Sequence, residues 1–132
     1  MGPLQARERI LIVEDEPLVL NLMAEAIGMD GYLVVTAQNG QKALGLIRKM
    51  HFDLVICDVK MPGCDGEAFY DEIQRTCPQL KERIAFVTGD VVSPRTQEFL
   101  ESCGAPYLLK PFRLNDLRRI VAESLERLRV IR

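Results

Sequence analysis

A chain of 132 residues, 48% hydrophobic and 27% charged, has the size and composition of one ordinary globular domain able to bury a core, which excludes a wholly disordered or fibrous protein. Its formal net charge of -2 supplies no global basic field and argues against unaided binding to nucleic acid or to an anionic membrane.

Residues 1–8 read as an N-terminal linker or stub, and 9–132 as the domain. Arg9–Val13 carries a continuous β-branched and leucine run too short for a helix, which suits a strand covered on both faces. Asp15-Glu16-Pro17 reads as a helix entry with an Asp cap and an early Pro; Leu18, Leu22, Met23, Ala26 and Ile27 recur at helical spacing, and Gly28 to Gly31 closes the helix. Tyr32–Ala37 predicts a second strand. Asn39-Gly40 starts a second helix with Ala43, Leu44 and Ile47 as its buried stripe, and Phe52–Cys57 returns to strand. The segment from Asp58 to Gly66 is dense in turn residues, with Asp65-Gly66 read as a turn and nothing more. A third helix carrying Ala68, Phe69 and Ile73 inward ends at Pro78. Arg83–Thr88 predicts a fourth strand, Ser93-Pro94 a capped helix through Cys103, and Pro106–Leu109 a short fifth strand. Asn115–Ile131 closes the chain as a helix with Leu117, Ile120, Val121, Leu125 and Leu128 on one side. Strands alternating with helices at this spacing imply an α/β fold, a parallel sheet wound by right-handed crossovers.

Cys57, Cys64, Cys77 and Cys103 form no C-x-x-C pair and stand apart from the single histidine, His51, so reduced thiols are expected rather than a zinc or redox site. The N-terminal apolar run is too short for a signal sequence or a span, and a cytoplasmic location without direct membrane contact is expected.

In an open parallel sheet, chemistry gathers at the carboxyl edge of the strands. The first strand ends there in Glu14-Asp15, the third in Asp58, the fourth in Thr88 and the fifth in Lys110. Three neighbouring carboxylates repel one another, so an ionised cluster asks for a divalent cation, and hard oxygen ligands suit Mg²⁺. Asp58 then qualifies as an oxygen nucleophile whose attack on phosphorus gives an aspartyl phosphate, with Mg²⁺, Lys110 and Thr88 stabilising the transferred group. Taken singly, each residue has a plainer role: Asp15 caps a helix, Asp58 stabilises a turn, Thr88 packs in a strand and Lys110 is solvated. Their joint placement favours chemistry. His51 has no acidic neighbour that would mark a phosphorylated histidine. The arginines of the last helix alternate with Glu123 and Glu126 as on a solvated face.

The segments Ile12-Val13-Glu14-Asp15-Glu16-Pro17, Asp53–Gly63, Thr88-Gly89 and Lys110-Pro111-Phe112 resemble the receiver domains of two-component response regulators, and the resemblance runs from Arg9 to about Leu128. It implies a flavodoxin-like (βα)5 three-layer sandwich with strand order 2-1-3-4-5. It also implies Asp58 as phosphoacceptor for a phosphoryl group from a histidine kinase or histidine phosphotransfer protein. The implied Mg²⁺ ligands are Asp15, Asp58 and the backbone carbonyl of Lys60, with Glu14 acting through water. Thr88 and Lys110 become the phosphoryl contacts, and Tyr107 the aromatic switch; a cis Lys110-Pro111 peptide is expected. Glu14 stands where similar proteins more often carry Asp. Lys60 and Asp90 occupy positions that tune dephosphorylation, which suggests a Lys60 to Asp90 contact shielding the acyl phosphate.

With the chain ending at Arg132, a DNA-binding output is not expected. Residues 86–90 and 106–112 look most like receivers at the end of hybrid histidine kinases, a stand-alone receiver being the alternative. An aspartyl phosphatase would need a D-x-D after the first strand, where Glu14-Asp15-Glu16 stands. A P-loop lacks its Lys, since Leu46 follows Gly45, and no G-x-G-x-x-G occurs. A phosphorylation-independent module of the same fold predicts a missing acceptor, lysine or acidic pair, and none is missing.

Overall fold

The central strands are apolar over most of their length because both of their faces are covered. The computed structural model describes residues 7–60, 65–89 and 93–130. Strands β1 (Arg9–Val13), β2 (Leu33–Ala37), β3 (Leu54–Asp58), β4 (Ile84–Thr88) and β5 (Tyr107–Leu109) form one parallel sheet in the order β2-β1-β3-β4-β5. Helices α1 (Pro17–Gly28), α2 (Gly40–Lys49), α3 (Gly66–Thr76), α4 (Pro94–Cys103) and α5 (Leu114–Val130) alternate with them. The fold is thus the doubly wound, flavodoxin-like arrangement expected from the sequence.

Side chains alternate between two cores. Leu11, Val13, Val55, Cys57, Ile84 and Phe86 pack with Ala43 of α2, Phe69, Tyr70 and Ile73 of α3, and Phe99 and Leu100 of α4. Ile10, Ile12, Leu54, Ile56, Ala85 and Val87 pack with Leu20, Met23 and Ile27 of α1 and with Leu117, Val121, Leu125 and Leu128 of α5. Tyr70, Phe86 and Phe99 meet edge to face, with centroids 5.1 to 6.1 Å apart, tying α3 and α4 to β4.

Most helix starts follow from local chemistry. The side chains of Asn39, Asp65 and Ser93 accept from the main-chain N–H groups of Lys42, Ala68 and Thr96, at 2.8, 2.9 and 3.4 Å. Asp65 is therefore a helix cap rather than only a turn residue. Gly104, at φ 69°, ends α4. The expected Asp15 cap is not formed: Glu16 occupies the cap position of α1 with no side-chain bond, and Pro17 removes one donor that would need a partner.

Three helix-face expectations need correction. Leu18 and Leu22 are exposed, at 73% and 54%, and Leu20 is buried instead. Apolar residues occur on nearly every side of α1, so their spacing alone does not fix which side meets the sheet. Ala68 is exposed while Tyr70, with more surface to bury, turns inward. Strand ends differ by a residue or two: Tyr32, Phe52, Arg83 and Pro106 precede their strands, and Asp58 ends β3. Helix α5 begins at Leu114, and Ile131 lies outside the described residues. Cys57, Cys77 and Cys103 are free thiols, Cys64 lying outside the described residues. Among the described residues no helix is long and apolar enough to cross a membrane.

Candidate functional site

Parallel strands end together at one edge, and there the chain places its acids. Glu14 directly follows β1, and its main-chain N–H bonds the Ala37 carbonyl at 3.1 Å, which continues the ladder past the strand. Glu14 and Asp58 are buried, at 1% and 4% exposure, whereas Asp15 is exposed. Carboxylate oxygens of all three lie within 4.8 Å of one another. Lys110 arrives from the end of β5, its main-chain N–H bonded to the Thr88 carbonyl at 2.8 Å. Its ammonium sits 2.8 Å from Asp58 Oδ2 and 3.0 Å from Glu14 Oε1. The other oxygens of these two acids also have donors: the Lys60 main-chain N–H at 3.1 Å on Asp58 Oδ1, and that of Glu16 at 3.1 Å on Glu14 Oε2. Among the described residues the Asp15 carboxylate has no hydrogen-bond or ion-pair partner.

Burial raises the Glu14 carboxyl above its ordinary value, against the lowering effects of the Glu16 and Lys110 bonds. For Lys110 burial acts to lower the value, but the bonds to Asp58 and Glu14 outweigh it and hold the ammonium protonated above its ordinary range.

Glu14, Asp15, Glu16, Val19, Asp58, Lys60, Gly89 and Lys110 line one depression of about 350 Å³. Four carboxylates against two lysines line it, which leaves two uncompensated negative charges, and the three acids that converge offer oxygen donors only. That combination fits a divalent hard cation such as Mg²⁺. The structure thus brings together Glu14, Asp15, Asp58, Lys60 and Lys110. Thr88 is fully buried at the end of β4 and, two residues after Phe86, belongs by alternation to the α2–α4 face of the sheet. Tyr107 is half exposed and lines a separate hollow of about 280 Å³ with Gln97, Leu100 and Glu101 of α4. Asp90 lies outside the described residues, and with it the Lys60 to Asp90 contact. The Lys110-Pro111 peptide is cis, as expected.

Two features escaped the sequence reading. A Cβ on Gly66 would lie 2.7 Å from Val59 Cα and 3.0 Å from the Asp58 carbonyl oxygen, and the Gly66 N–H bonds the Val59 carbonyl at 2.8 Å. Gly66 therefore lets α3 start against the backbone that follows Asp58. The available signal was a glycine eight positions beyond a strand-ending acid. The second feature is an apolar groove of about 410 Å³ between α1 and the start of α5, lined by Val19, Leu22, Met23, Pro111, Phe112 and Leu114. It adjoins the depression through Val19 and Lys110. The Leu22 exposure counted above as a packing error is part of that groove.

A family model of the response regulator receiver domain matches residues 10–122. The chain is 34% identical over 123 residues to the sensor histidine kinase RcsC of Salmonella typhi, covering 93% of this chain and 13% of that protein. It is 34% identical over 122 residues to the regulatory protein AtoC of Escherichia coli (strain K12), covering 92% of this chain and 26% of that protein. The chain therefore spans a small part of these relatives. Among solved structures, a CheY-like response regulator receiver domain protein from Methanospirillum hungatei JF-1 superposes with a TM-score of 0.86 at 27% identity, covering 96% of this chain and all of that one.

Proposed function

Since the chain belongs to the response regulator receiver family of two-component systems, we propose that Asp58 accepts a phosphoryl group from a phosphohistidine and that the modification changes which partner the domain binds. The observation that carries this reading is Asp58 itself: a buried carboxylate at the end of β3, held at one oxygen by the Lys60 N–H and at the other by Lys110, beside Glu14 and Asp15.

The chain's own groups supply most of the step. Lys110 and the Lys60 amide orient the nucleophile. An Asp58 oxygen forms the new bond to phosphorus while the phosphorus–nitrogen bond to the donor imidazole breaks, its electron pair staying on the ring nitrogen. Asp15, Asp58 and the Lys60 carbonyl would hold Mg²⁺, with Glu14 reaching it through water, and the ion would supply positive charge toward the phosphoryl oxygens. Lys110 stays beside the new phosphoryl group, and Thr88 turns to contact it. Tyr107, outward in this structure, moves into the space Thr88 leaves, shifting the population of the α4–β5–α5 face. Lys60 and Asp90 tune loss of the phosphoryl group.

The donor is a histidine kinase or histidine phosphotransfer protein. Its histidine-bearing helix docks on the groove between α1 and α5, because that groove opens directly onto the acceptor depression and the exposed Leu18 extends its apolar rim along α1. The chain acts as a cytoplasmic phosphoacceptor rather than a turnover enzyme, binds no nucleic acid, and is the receiver portion of a hybrid histidine kinase. The likeness to a sensor histidine kinase supports that context, and AtoC keeps a separate regulator as the alternative.

Intact mass after incubation with acetyl phosphate and Mg²⁺ tests the proposal. One phosphoryl adduct is expected on the wild type, and none on Asp58→Asn or after chelation of the metal. An adduct that persists on Asp58→Asn would remove Asp58 as the acceptor.

A further inference from the structure

We propose that Glu14 gates cation entry to the cluster by holding Lys110 across it, so that a divalent cation gains the site only as the lysine leaves Glu14. This rests on the Mg²⁺-dependent reading above and assigns Glu14 a role besides a water-mediated metal contact.

Four geometric facts carry it. Lys110 is anchored at two acids at once, 3.0 Å from Glu14 Oε1 and 2.8 Å from Asp58 Oδ2. Its backbone is pinned by the bond to the Thr88 carbonyl, so the side chain, not the strand, must move to vacate the cluster. Both oxygens of Glu14 and both of Asp58 already accept hydrogen bonds, which leaves Asp15 as the uncommitted carboxylate. Glu14 and Lys110 are also confined, their side chains 1% and 29% exposed, so water screens their contact poorly.

The reach of the glutamate is what makes the second anchor. An aspartate is shorter by one carbon–carbon bond, about 1.5 Å, which takes a carboxylate now at hydrogen-bond distance out of contact with the ammonium. Lys110 would then hold Asp58 alone. With the same formal charge in the cluster but one lysine anchor fewer, the cation meets less competition.

A double-mutant cycle on the unphosphorylated domain, read as Mg²⁺ affinity by calorimetry, tests this. Glu14→Asp is expected to tighten Mg²⁺ binding about three- to tenfold in the presence of Lys110, roughly the net worth of one hydrogen bond exchanged with water. In the Lys110→Met background the same change is expected to alter affinity less than about twofold. An equal change in both backgrounds overturns the gate, as does a weakening with Lys110 present. Should Glu14→Asp fail to fold by circular dichroism, Glu14→Gln carries the same cycle. It removes a cation-attracting charge in either background, and the gate requires the loss of affinity to be smaller where Lys110 is present. Absence of Mg²⁺ binding by the folded wild type would instead overturn the reading on which the gate rests.

Discussion

Acids and bases meet at both edges of the sheet, but the two edges balance them differently. At the amino edge Asp53 is one acid with several partners: the Arg9 N–H at 2.8 Å on one oxygen, His51 Nε2 at 3.2 Å on the other, so that His51 does have an acidic neighbour, and Arg83 at 3.2 Å on its carbonyl. Glu8 has its own arginine, Arg129, at 2.5 Å. At the carboxyl edge one lysine serves two buried acids, Glu14 and Asp58, while a third, Asp15, lies within reach of both without a bond to the lysine. Buried charge in excess of its partners is costly unless something else arrives to bind it. The amino edge is a finished clasp, and the carboxyl edge keeps a surplus of negative charge.

Glycines offer the strongest way to break this comparison. Gly66, at the carboxyl edge, has no room for a side chain against Val59 Cα; Gly31, before β2 at the amino edge, has open space but a φ of 91°. Gly66→Ala must push on backbone and is expected to cost about 1–3 kcal/mol of stability in urea unfolding. It also displaces the Val59-Lys60 segment and so weakens Mg²⁺ binding. Gly31→Ala is expected to cost about 1–2 kcal/mol from backbone strain alone and to leave Mg²⁺ affinity at the wild-type value. Equal Mg²⁺ affinities for the two variants would mean that Gly66 shapes the fold without shaping the site.

Single acids sharpen the contrast further. Asp53→Ala strips the Arg9 N–H of its acceptor and is expected to lose about 1–2 kcal/mol of stability, with Mg²⁺ binding unchanged. Asp15→Asn removes a carboxylate that has repulsive neighbours and, among the described residues, no partner. It is expected to gain a little stability while weakening Mg²⁺ binding about tenfold or more. Calorimetric titration beside thermal unfolding reads both quantities, and loss of stability in Asp15→Asn would show that Asp15 belongs to the fold rather than to a cation.

What the sequence made legible follows the same physics. Arg9–Val13, Phe52–Cys57 and Arg83–Thr88 declared themselves as strands because the short apolar runs within them, Ile10–Val13, Leu54–Cys57 and Ile84–Val87, need cover on two faces. The acids at their ends declared the site because polar residues do not otherwise follow such runs so regularly. Helix α1 was less legible: Leu18, Leu20, Leu22 and Met23 offer competing faces, and only the neighbouring α5 and sheet decide that Leu20 and Met23 go in. The cap at Asp15 failed for a related reason, since one residue type serves helix starts and cation sites alike. Gly66 was opaque because close approach between two backbones belongs to the assembled loop and not to either segment. Lys110 was placed at the correct edge, but its bond to Glu14 depends on side-chain reach across 96 positions of chain.

The finest separation between the two kinds of charge lies in the sign of their pH dependence. Arg118 bonds Asp30 and lowers its pKa below the ordinary 3.8, so this pair adds stability that is present above that value and lost as pH falls through the lower folded one. Burial acts oppositely on Glu14, raising it above the ordinary 4.5; the folded domain then takes up that proton before the unfolded chain does, and the penalty of the charged form eases as pH falls through the raised value. Arg118→Met is accordingly expected to be less stable than wild type at neutral pH and to converge with it only below 3.8. Glu14→Gln is expected to be more stable at neutral pH and to converge by 4.5. Urea unfolding of the three proteins between about pH 3 and 7 gives both differences. Two differences of the same sign would mean that Glu14, with its lysine, is as settled a structural pair as Asp30 with its arginine, and that the carboxyl edge carries no surplus charge for a cation to answer.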